Sequence, residues 1–359
     1  MSSVQAAVLR KKGGPYEIET VELEEPRDNE VLVRNVASGI CHTDIGVAES
    51  RGSAAKPLVL GHEGAGIVVE VGNKVKGVRP GDHVVLSYAY CNDCPGCRSG
   101  RPWTCEHFFE LNFGFSRLDG SNAFQRSNVH GHFFGQSSFS THSVVNETNI
   151  TTVSPDLSLE ILAPLGCGIM TGSGVVMNLF SVAKGASIAV FGTGAVGLAA
   201  VMAARIVGAG PIIGVDIHPA RLELARTLGA THIINARQVD VAAAIASIAG
   251  TGVDFILETS GNSTMDRIAV EVLNPCGSMA NAASSLAQDK LPGEKKRLRV
   301  TMGSSVPQTF IPKLIDYYRA GLFPFDRLER FYDFSQINQA ITDSLSGATI
   351  KPVLRINRG

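Results

Sequence analysis

The chain has 359 residues, too many for one ordinary hydrophobic core, so two domains are expected. With 44% hydrophobic residues, 18% charged residues and a formal net charge of -1, it has a globular composition with no electrostatic attraction to nucleic acid or to an anionic membrane. The opening MSSVQAAVLRKKGG has no apolar segment of signal-peptide type, and seven cysteines, an odd number, favour reduced thiols, so a cytoplasmic protein is expected.

In chain order, the first part, to about residue 150, consists of short β-like runs separated by glycine turns. EVLVRNVASGI (30–40), AGIVVEVGNKV (65–75) and DHVVLSY (82–88) are rich in Val and Ile, and Pro80-Gly81-Asp82 marks a turn. After Leu165 the texture changes. SIAVFGTG, AVGLAAVMAARIVGAG and PIIGVDI read as strand, helix, strand. RLELARTLG with HIIN, and VAAAIASIAG with VDFILETS, repeat that alternation, which predicts a doubly wound parallel sheet. A last segment carries a helix in FIPKLIDYYRAG and a strand-like IKPVLRIN. The uncharged stretch 185–204 is long enough to span a bilayer, but its glycines fit a buried strand, turn and helix better, so no membrane span is expected.

Gly192-Thr193-Gly194-Ala195-Val196-Gly197 closes an apolar strand and opens an alanine-rich helix, and Asp216 ends the next strand. A dinucleotide site requires that context: Gly192, Gly194 and Gly197 for the tight turn and close packing, and a helix N-terminus for the pyrophosphate. A carboxylate at Asp216 suits ribose hydroxyls and repels a 2′-phosphate, which favours NAD over NADP even with Arg221 nearby.

Cys91, Cys94, Cys97 and Cys105 lie within CNDCPGCRSGRPWTC. Four thiolates on one short loop can enclose a zinc tetrahedrally with no open position, which makes a structural site; an iron–sulfur cluster or free thiols are the alternatives. His107 and Glu106 follow as bystanders. Cys41 in GICHTDIG, His62 in LGHEGAG and Cys167 in PLGCGIMTG could form a catalytic zinc site of two thiolates, one imidazole and an open position. Their spacing does not require it, and each taken alone also reads as an ordinary buried group. Cys276 keeps that ordinary reading.

Together these residues resemble the zinc-dependent alcohol dehydrogenases of the medium-chain dehydrogenase/reductase superfamily over essentially the whole chain. The resemblance rests on Cys41-His42-Thr43-Asp44, GHEGAGIVVEVGNKV (61–75), the four-cysteine lobe, Cys167, GTGAVG and Asp216. FFGQSSFSTHSVV (133–145), PLGCGIMTGSG and IPKLIDYYRAGLFPFDRL are most similar to aryl- or benzyl-alcohol dehydrogenases. It implies an α/β protein with a GroES-like, mostly-β catalytic domain at 1–165 carrying the lobe 91–105, a Rossmann NAD-binding domain at 166–302, and a return to the catalytic domain at 303–359. It implies two zinc ions per chain, with Cys41, His62 and Cys167 on the catalytic one, Glu63 behind the metal and Asp44 orienting His62. Thr43 would take the substrate's hydroxyl proton, and His42, helped by Lys351, would reach the cofactor pyrophosphate. A homodimer or homotetramer follows by analogy.

Two departures stand out. Gly46 occupies the place of a proton-relay histidine, so the proton must leave Thr43 through the cofactor ribose or another base. The stretch GSMANAASSLAQDKLPGEKKRLRV (277–300) is poor in β-branched residues, and its basic part Lys290–Arg299 reads as a solvated loop. Phe133, Phe134, Ser87 and Tyr88 are expected to face the substrate, with ordinary core packing as the competing reading. An apolar, flat-walled pocket suits benzylic or allylic primary alcohols better than ethanol. The alternatives are a secondary-alcohol or polyol dehydrogenase, or a non-catalytic, zinc-stabilised nucleotide-binding protein.

Overall fold

The computed structural model describes residues 2–51, 56–283 and 290–357. Two compact units emerge: Met1–Cys167 with Val306–Pro312 and Asp326–Gly359, and Gly168–Ser305 with Lys313–Phe325.

The first unit is built on strands β1 (Ser2–Leu9), β2 (Tyr16–Leu23), β3 (Glu30–Gly39), β4 (Leu58–Val59), β5 (Glu63–Val71), β6 (His83–Leu86), β7 (His142–Asn146) and β8 (Ile150–Val153). Strand β3 shows why this sequence makes a sheet with two covered faces. Successive side chains point to opposite sides of a strand. Val31 and Val33 accordingly join one core cluster with Val68, Val84 and Leu86, whereas Leu32 joins another with Val4, Val8 and Leu23. β1 lies antiparallel between β2 and β4 in a small separate sheet.

The second unit contains β9 (Ile188–Phe191), β10 (Ile212–Asp216), β11 (His232–Asn235), β12 (Val253–Glu258), β13 (Leu273–Asn281) and β14 (Lys296–Arg299). These strands are parallel in the order β11-β10-β9-β12-β13-β14. IAVF and IIGVD are buried along their whole length, as strands covered by helices on both faces must be. The chain order reverses across β9, which puts the GTGAVG turn at the switch point of the sheet, where ligands bind in open α/β folds. The uncharged stretch 185–204 is β9, that turn and most of the helix Ala195–Val207. Among the described residues no single helix is long and apolar enough to cross a membrane.

Two expectations need correction here. The C-terminal segment does not return as a block: Lys313–Phe325 clusters with the second unit. The remainder supplies β15 (Glu329–Asp333) and β16 (Lys351–Arg355), which extend the first unit's sheet to β15-β16-β3-β5-β6-β8, with β7 also on β3. The basic stretch Lys290–Arg299 is more than a solvated loop. Its Lys296–Arg299 portion is the edge strand β14, anchored by Arg297, which donates to both carboxylate oxygens of Asp266 at 2.7 and 3.0 Å. Residues 284–289 of the same departure lie outside the described residues.

Candidate active site and metal centres

Cys41 follows the end of β3, His62 immediately precedes β5 and Glu63 opens it, and Cys167 ends the first unit's long N-terminal stretch. One ligand atom from each of Cys41, His62, Glu63 and Cys167 lies within 4.8 Å of the others. Asp44, 1% exposed, organises this cluster: Oδ2 accepts from the Cys41 amide at 2.9 Å, and Oδ1 accepts from the Gly61 amide at 3.0 Å and from His62 Nδ1 at 2.9 Å. That last bond places the His62 proton on Nδ1 in the neutral ring and turns Nε2 toward the thiols. His62 Nε2 is buried and has no hydrogen-bond partner. An orphaned imidazole nitrogen beside two cysteine sulfurs is the donor set that zinc prefers, so the residues fit the metal.

The charges agree with that reading. The Cys167 thiol bonds to Cys41 and holds the Cys41 pKa well below its ordinary value; the same contact pushes Cys167 up. Burial opposes a charge on His62, but Asp44 outweighs it and pushes the imidazole up to about 10. A metal arriving at Nε2 must displace a proton, so its binding is proton-linked.

The four lobe cysteines, Cys91, Cys94, Cys97 and Cys105, also bring their sulfurs within 4.8 Å of one another. Backbone amides point into the cluster: those of Cys94 and Asp93 donate to Cys91 Sγ at 3.3 and 3.5 Å, Cys91 N to Cys105 Sγ at 3.4 Å, and Glu106 N to Cys94 Sγ at 3.5 Å. Such donors favour a thiolate at Cys94, whose pKa falls to about 6 with the amides of Cys97 and Glu106 leading. Burial pushes Cys97 and Cys105 up in the absence of a neutralising cation. An all-sulfur shell closed by backbone donors suits a metal that holds shape.

In the second unit Gly192 adopts φ +89°, and a Cβ there would meet Thr259 Oγ1 at 2.7 Å. A Cβ on Gly197 would strike the Gly192 carbonyl, so this residue fixes helix against strand. Gly194 differs: a Cβ would meet nothing within 4 Å, and as N-cap of the helix Ala195–Val207 it offers no side-chain cap. The open space and uncapped amides fit a pyrophosphate. Asp216 is 8% exposed, with Oδ2 accepting from Thr193 N and Oγ1 and Oδ1 from Ile217 N, His218 N and His218 Nδ1. Burial works against its charge, but the Thr193 and His218 donors prevail and hold its pKa below the usual range. Arg221 is half-buried on the helix Pro219–Leu228, and its Nε is buried without a hydrogen-bond partner.

Residues 27–155 match the alcohol dehydrogenase GroES-like domain, and residues 195–316 match the zinc-binding dehydrogenase domain. A geraniol dehydrogenase from Castellaniella defragrans is 42% identical over 364 residues, covering 98% of this chain and 97% of that one. The chain belongs to the zinc-dependent alcohol dehydrogenases of the medium-chain superfamily. It is also similar to the crystal structure of benzyl alcohol dehydrogenase from Acinetobacter calcoaceticus, at TM-score 0.95 and 42% identity over 99% of this chain and 100% of that one. An alcohol dehydrogenase zinc-binding domain protein from Burkholderia ambifaria gives TM-score 0.95 and 47% identity with the same coverage.

Within the dehydrogenase Lys351, Ser87 and Tyr88 sit differently from the sequence reading, whereas Phe133, Phe134 and Thr43 lie beside the metal ligands. Lys351 does not extend toward a pyrophosphate. Its Nζ is buried, 2.8 and 2.9 Å from the two Glu63 carboxylate oxygens and 3.2 Å from the Ile40 carbonyl, so three donors are taken up inside the first unit. Phe133 and Phe134 are buried against the metal-site imidazole, Phe134 stacked at 4.5 Å and Phe133 edge-on at 5.4 Å between ring centroids. Ser87 and Tyr88 are fully buried and turn elsewhere. Ser87 Oγ donates to the Gly166 carbonyl at 2.7 Å, and Tyr88 packs on Tyr90 and Phe108 beside the cysteine lobe. Thr43 Oγ1 lies 3.7 Å from Cys41 Sγ, and His42 is exposed at the start of the helix His42–Arg51.

Sequence reasoning missed Gln136. Its Oε1 accepts from Gly64 N at 3.1 Å, and its Nε2 donates to the carbonyls of His62 at 2.9 Å and Ser87 at 3.1 Å, joining the entry to β5 to the exit from β6 next to His62. A lone amide in GQSSF offered no periodic signal; only its complete burial reveals the role.

Proposed function

We propose that this dehydrogenase interconverts primary aromatic or allylic alcohols and their aldehydes, with NAD as the hydride carrier. The observation that carries the reading is the seat of His62: Phe134 stacks on its ring and Phe133 meets it edge-on from the same side, so that an aromatic wall stands beside the metal-site imidazole. The geraniol and benzyl alcohol dehydrogenases that resemble this chain act on alcohols of that shape by name, which supports the reading.

A zinc held here would supply Lewis acidity toward an alcohol oxygen, and a bound nicotinamide would supply the hydride-accepting chemistry. The chain supplies the rest. Cys41, His62 and Cys167 hold the metal, and Asp44 fixes the His62 ring. Thr43 receives the hydroxyl proton beside Cys41. Lys351 neutralises Glu63 next to the thiolates, so that the carboxylate does not compete for the metal. Cys91, Cys94, Cys97 and Cys105 hold a second, structural zinc. Gly192, Gly194 and Gly197 admit the pyrophosphate, with His42 beside it. Asp216 favours NAD over NADP, with Arg221 at the adenosine end. Seven free cysteines suit a reducing, cytoplasmic compartment, and a homodimer or homotetramer is the expected assembly.

The test is the initial rate of NADH formation from benzyl alcohol, cinnamyl alcohol, geraniol, ethanol and sorbitol, with NADP run in parallel. Fast NAD-linked oxidation of the first three supports the proposal. Preference for sorbitol moves the enzyme to the polyol branch, and NAD binding without any turnover makes it a binding protein.

A further inference from the structure

Strand β12 carries a carboxylate near each end, and each grips a serine through its amide and its hydroxyl. At the start, Asp254 Oδ2 accepts from Ser187 N at 2.9 Å and Ser187 Oγ at 2.7 Å, which ties β12 to the entry of β9. At the end, Glu258 holds the loop that follows its own strand. Its Oε1 accepts from Ser260 N at 2.7 Å and from Ser260 Oγ, and its Oε2 accepts from Gly261 N at 3.2 Å. Glu258 is fully buried, whereas Ser260 and Gly261 are exposed. Burial pushes the Glu258 pKa up, and the Ser260 and Gly261 donors work against that.

The loop so held lies directly on the glycine turn. A Cβ on Gly192 would meet Thr259 Oγ1 at 2.7 Å and the Ser260 amide nitrogen at 2.9 Å. Thr259 Oγ1 donates to the carbonyls of Phe191 at 3.0 Å and Gly192 at 2.8 Å, and Thr259 N donates to Phe191 O at 2.7 Å. On the other side of the same Gly192–Thr193 peptide, Thr193 N donates to Asp216 Oδ2 at 2.7 Å. One peptide unit is therefore held at its oxygen by the loop that Glu258 builds and at its nitrogen by Asp216. A peptide plane held at both ends is oriented before a ligand arrives, and such preorganisation raises affinity by removing an ordering cost. Resting on the NAD reading above, we propose that Glu258 is a positioning residue for the cofactor: through Thr259 and Ser260 it sets the Gly192–Thr193 peptide, and with it the pyrophosphate turn and the Asp216 carboxylate. Glu258 belongs to the second unit and the zinc ligands to the first, so its loss weakens cofactor binding without lowering kcat at saturating NAD.

Fluorescence titration with NADH, and with NADPH in parallel, tests this on wild type, E258Q, T259V, T259S and D254A. KM for NAD and kcat are measured alongside on the fastest alcohol of the panel above. E258Q keeps the size and one acceptor and removes a charge that burial opposes, so it is expected to fold with an unchanged Tm. Its NADH Kd and its KM for NAD should rise by about 10-fold, the size of one lost hydrogen bond to a charged group, with kcat not reduced. T259V should show a similar rise, and T259S, which keeps the hydroxyl, should restore wild-type affinity. D254A loosens the opposite end of the same strand, so it should lower Tm and leave the NADH Kd alone. If E258Q fails to fold, the T259V and T259S pair decides. Wild-type Kd in E258Q and T259V, or a rise in D254A equal to that in E258Q, overturns the positioning role while leaving the NAD reading intact. Wild type that binds NADPH and not NADH overturns the NAD reading, and the same variants titrated with NADPH then decide the role of Glu258. Wild type that binds neither overturns both.

Discussion

Lys351 and Glu63 form an ion pair closed off from water, the lysine side chain 3% exposed and the carboxylate 0%. The partners come from β16 and β5, and the carboxylate stands in the same cluster as Cys41, His62 and Cys167. Replacing one member leaves a buried charge without a partner, a change that costs about 3–5 kcal/mol, whereas replacing both can be close to neutral. Lys351→Met should therefore lower stability by that amount in chemical denaturation, and adding Glu63→Gln should recover more than half of the loss. A Lys351→Met protein as stable as wild type contradicts the pair's closure.

The two cysteine clusters should fail in different ways. Cys41→Ser should keep its fold and bind one zinc fewer per chain by elemental analysis, with kcat down by about 100-fold or more. Cys105→Ser also loses one zinc, but its first symptom is a Tm lower by about 5 °C or more. Inactive Cys105→Ser protein with an unchanged Tm and a retained zinc at Cys41 would reverse this division.

Asp44 holds two backbone amides and the His62 ring at once. Asp44→Asn keeps the shape but weakens its grip on the ring and on both amides. Groups in that position usually change metal affinity by about 10- to 100-fold, so chelator competition should extract zinc from Asp44→Asn in that ratio more readily. Equal resistance to the chelator would show that the thiols alone position the metal.

At Gly46 an added Cβ would meet nothing within 4 Å, so Gly46→His can be made without crowding the helix His42–Arg51. If the proton leaving Thr43 lacks a histidine relay, installing one should move the pH–rate profile toward neutrality. An unchanged profile argues that position 46 lies off the proton's route.

In the second unit, Arg297 holds Asp266 through paired hydrogen bonds, with burial opposing, and the carboxyl pKa lies below its ordinary value. A depressed folded-state pKa contributes stability that is complete above the unfolded value of about 3.9 and disappears as pH falls through the folded one. Asp266→Asn should cost about 1–2 kcal/mol near neutrality. The gap from wild type should narrow below about pH 4, as followed by urea denaturation across pH. A constant gap over that range rules out the ion pair as its source.

The fold was legible where physics is local. Apolar runs such as IAVF and IIGVD mark strands covered on both faces, and Gly192 and Gly197 of GTGAVG mark a turn and a close packing that exclude a Cβ. The lobe was legible because its ligands share one loop. The centre at Cys41, His62 and Cys167 needed resemblance, since no spacing connects residues so far apart. Lys351 was named but misplaced, because a side chain 288 positions from its partner leaves no trace in a local pattern. Ser87 and Tyr88 alternate along the chain from β6, and only tertiary packing decides that one serves a carbonyl and the other the lobe. β14 escaped notice because an edge strand made of KRLR lacks the apolar run that announces its neighbours.

β16 lies between β15 and β3, and it brings Lys351 to Glu63. On a ribosome, residue 63 emerges long before residue 351. Throughout that interval the thiols and imidazole of the reaction centre exist beside an unneutralised carboxylate, which has no reason to leave water. The two cysteine clusters thus differ in what the chain must supply: the lobe's four sulfurs come from fifteen consecutive residues, whereas the buried charge beside Cys41, His62 and Cys167 finds its partner only at residue 351.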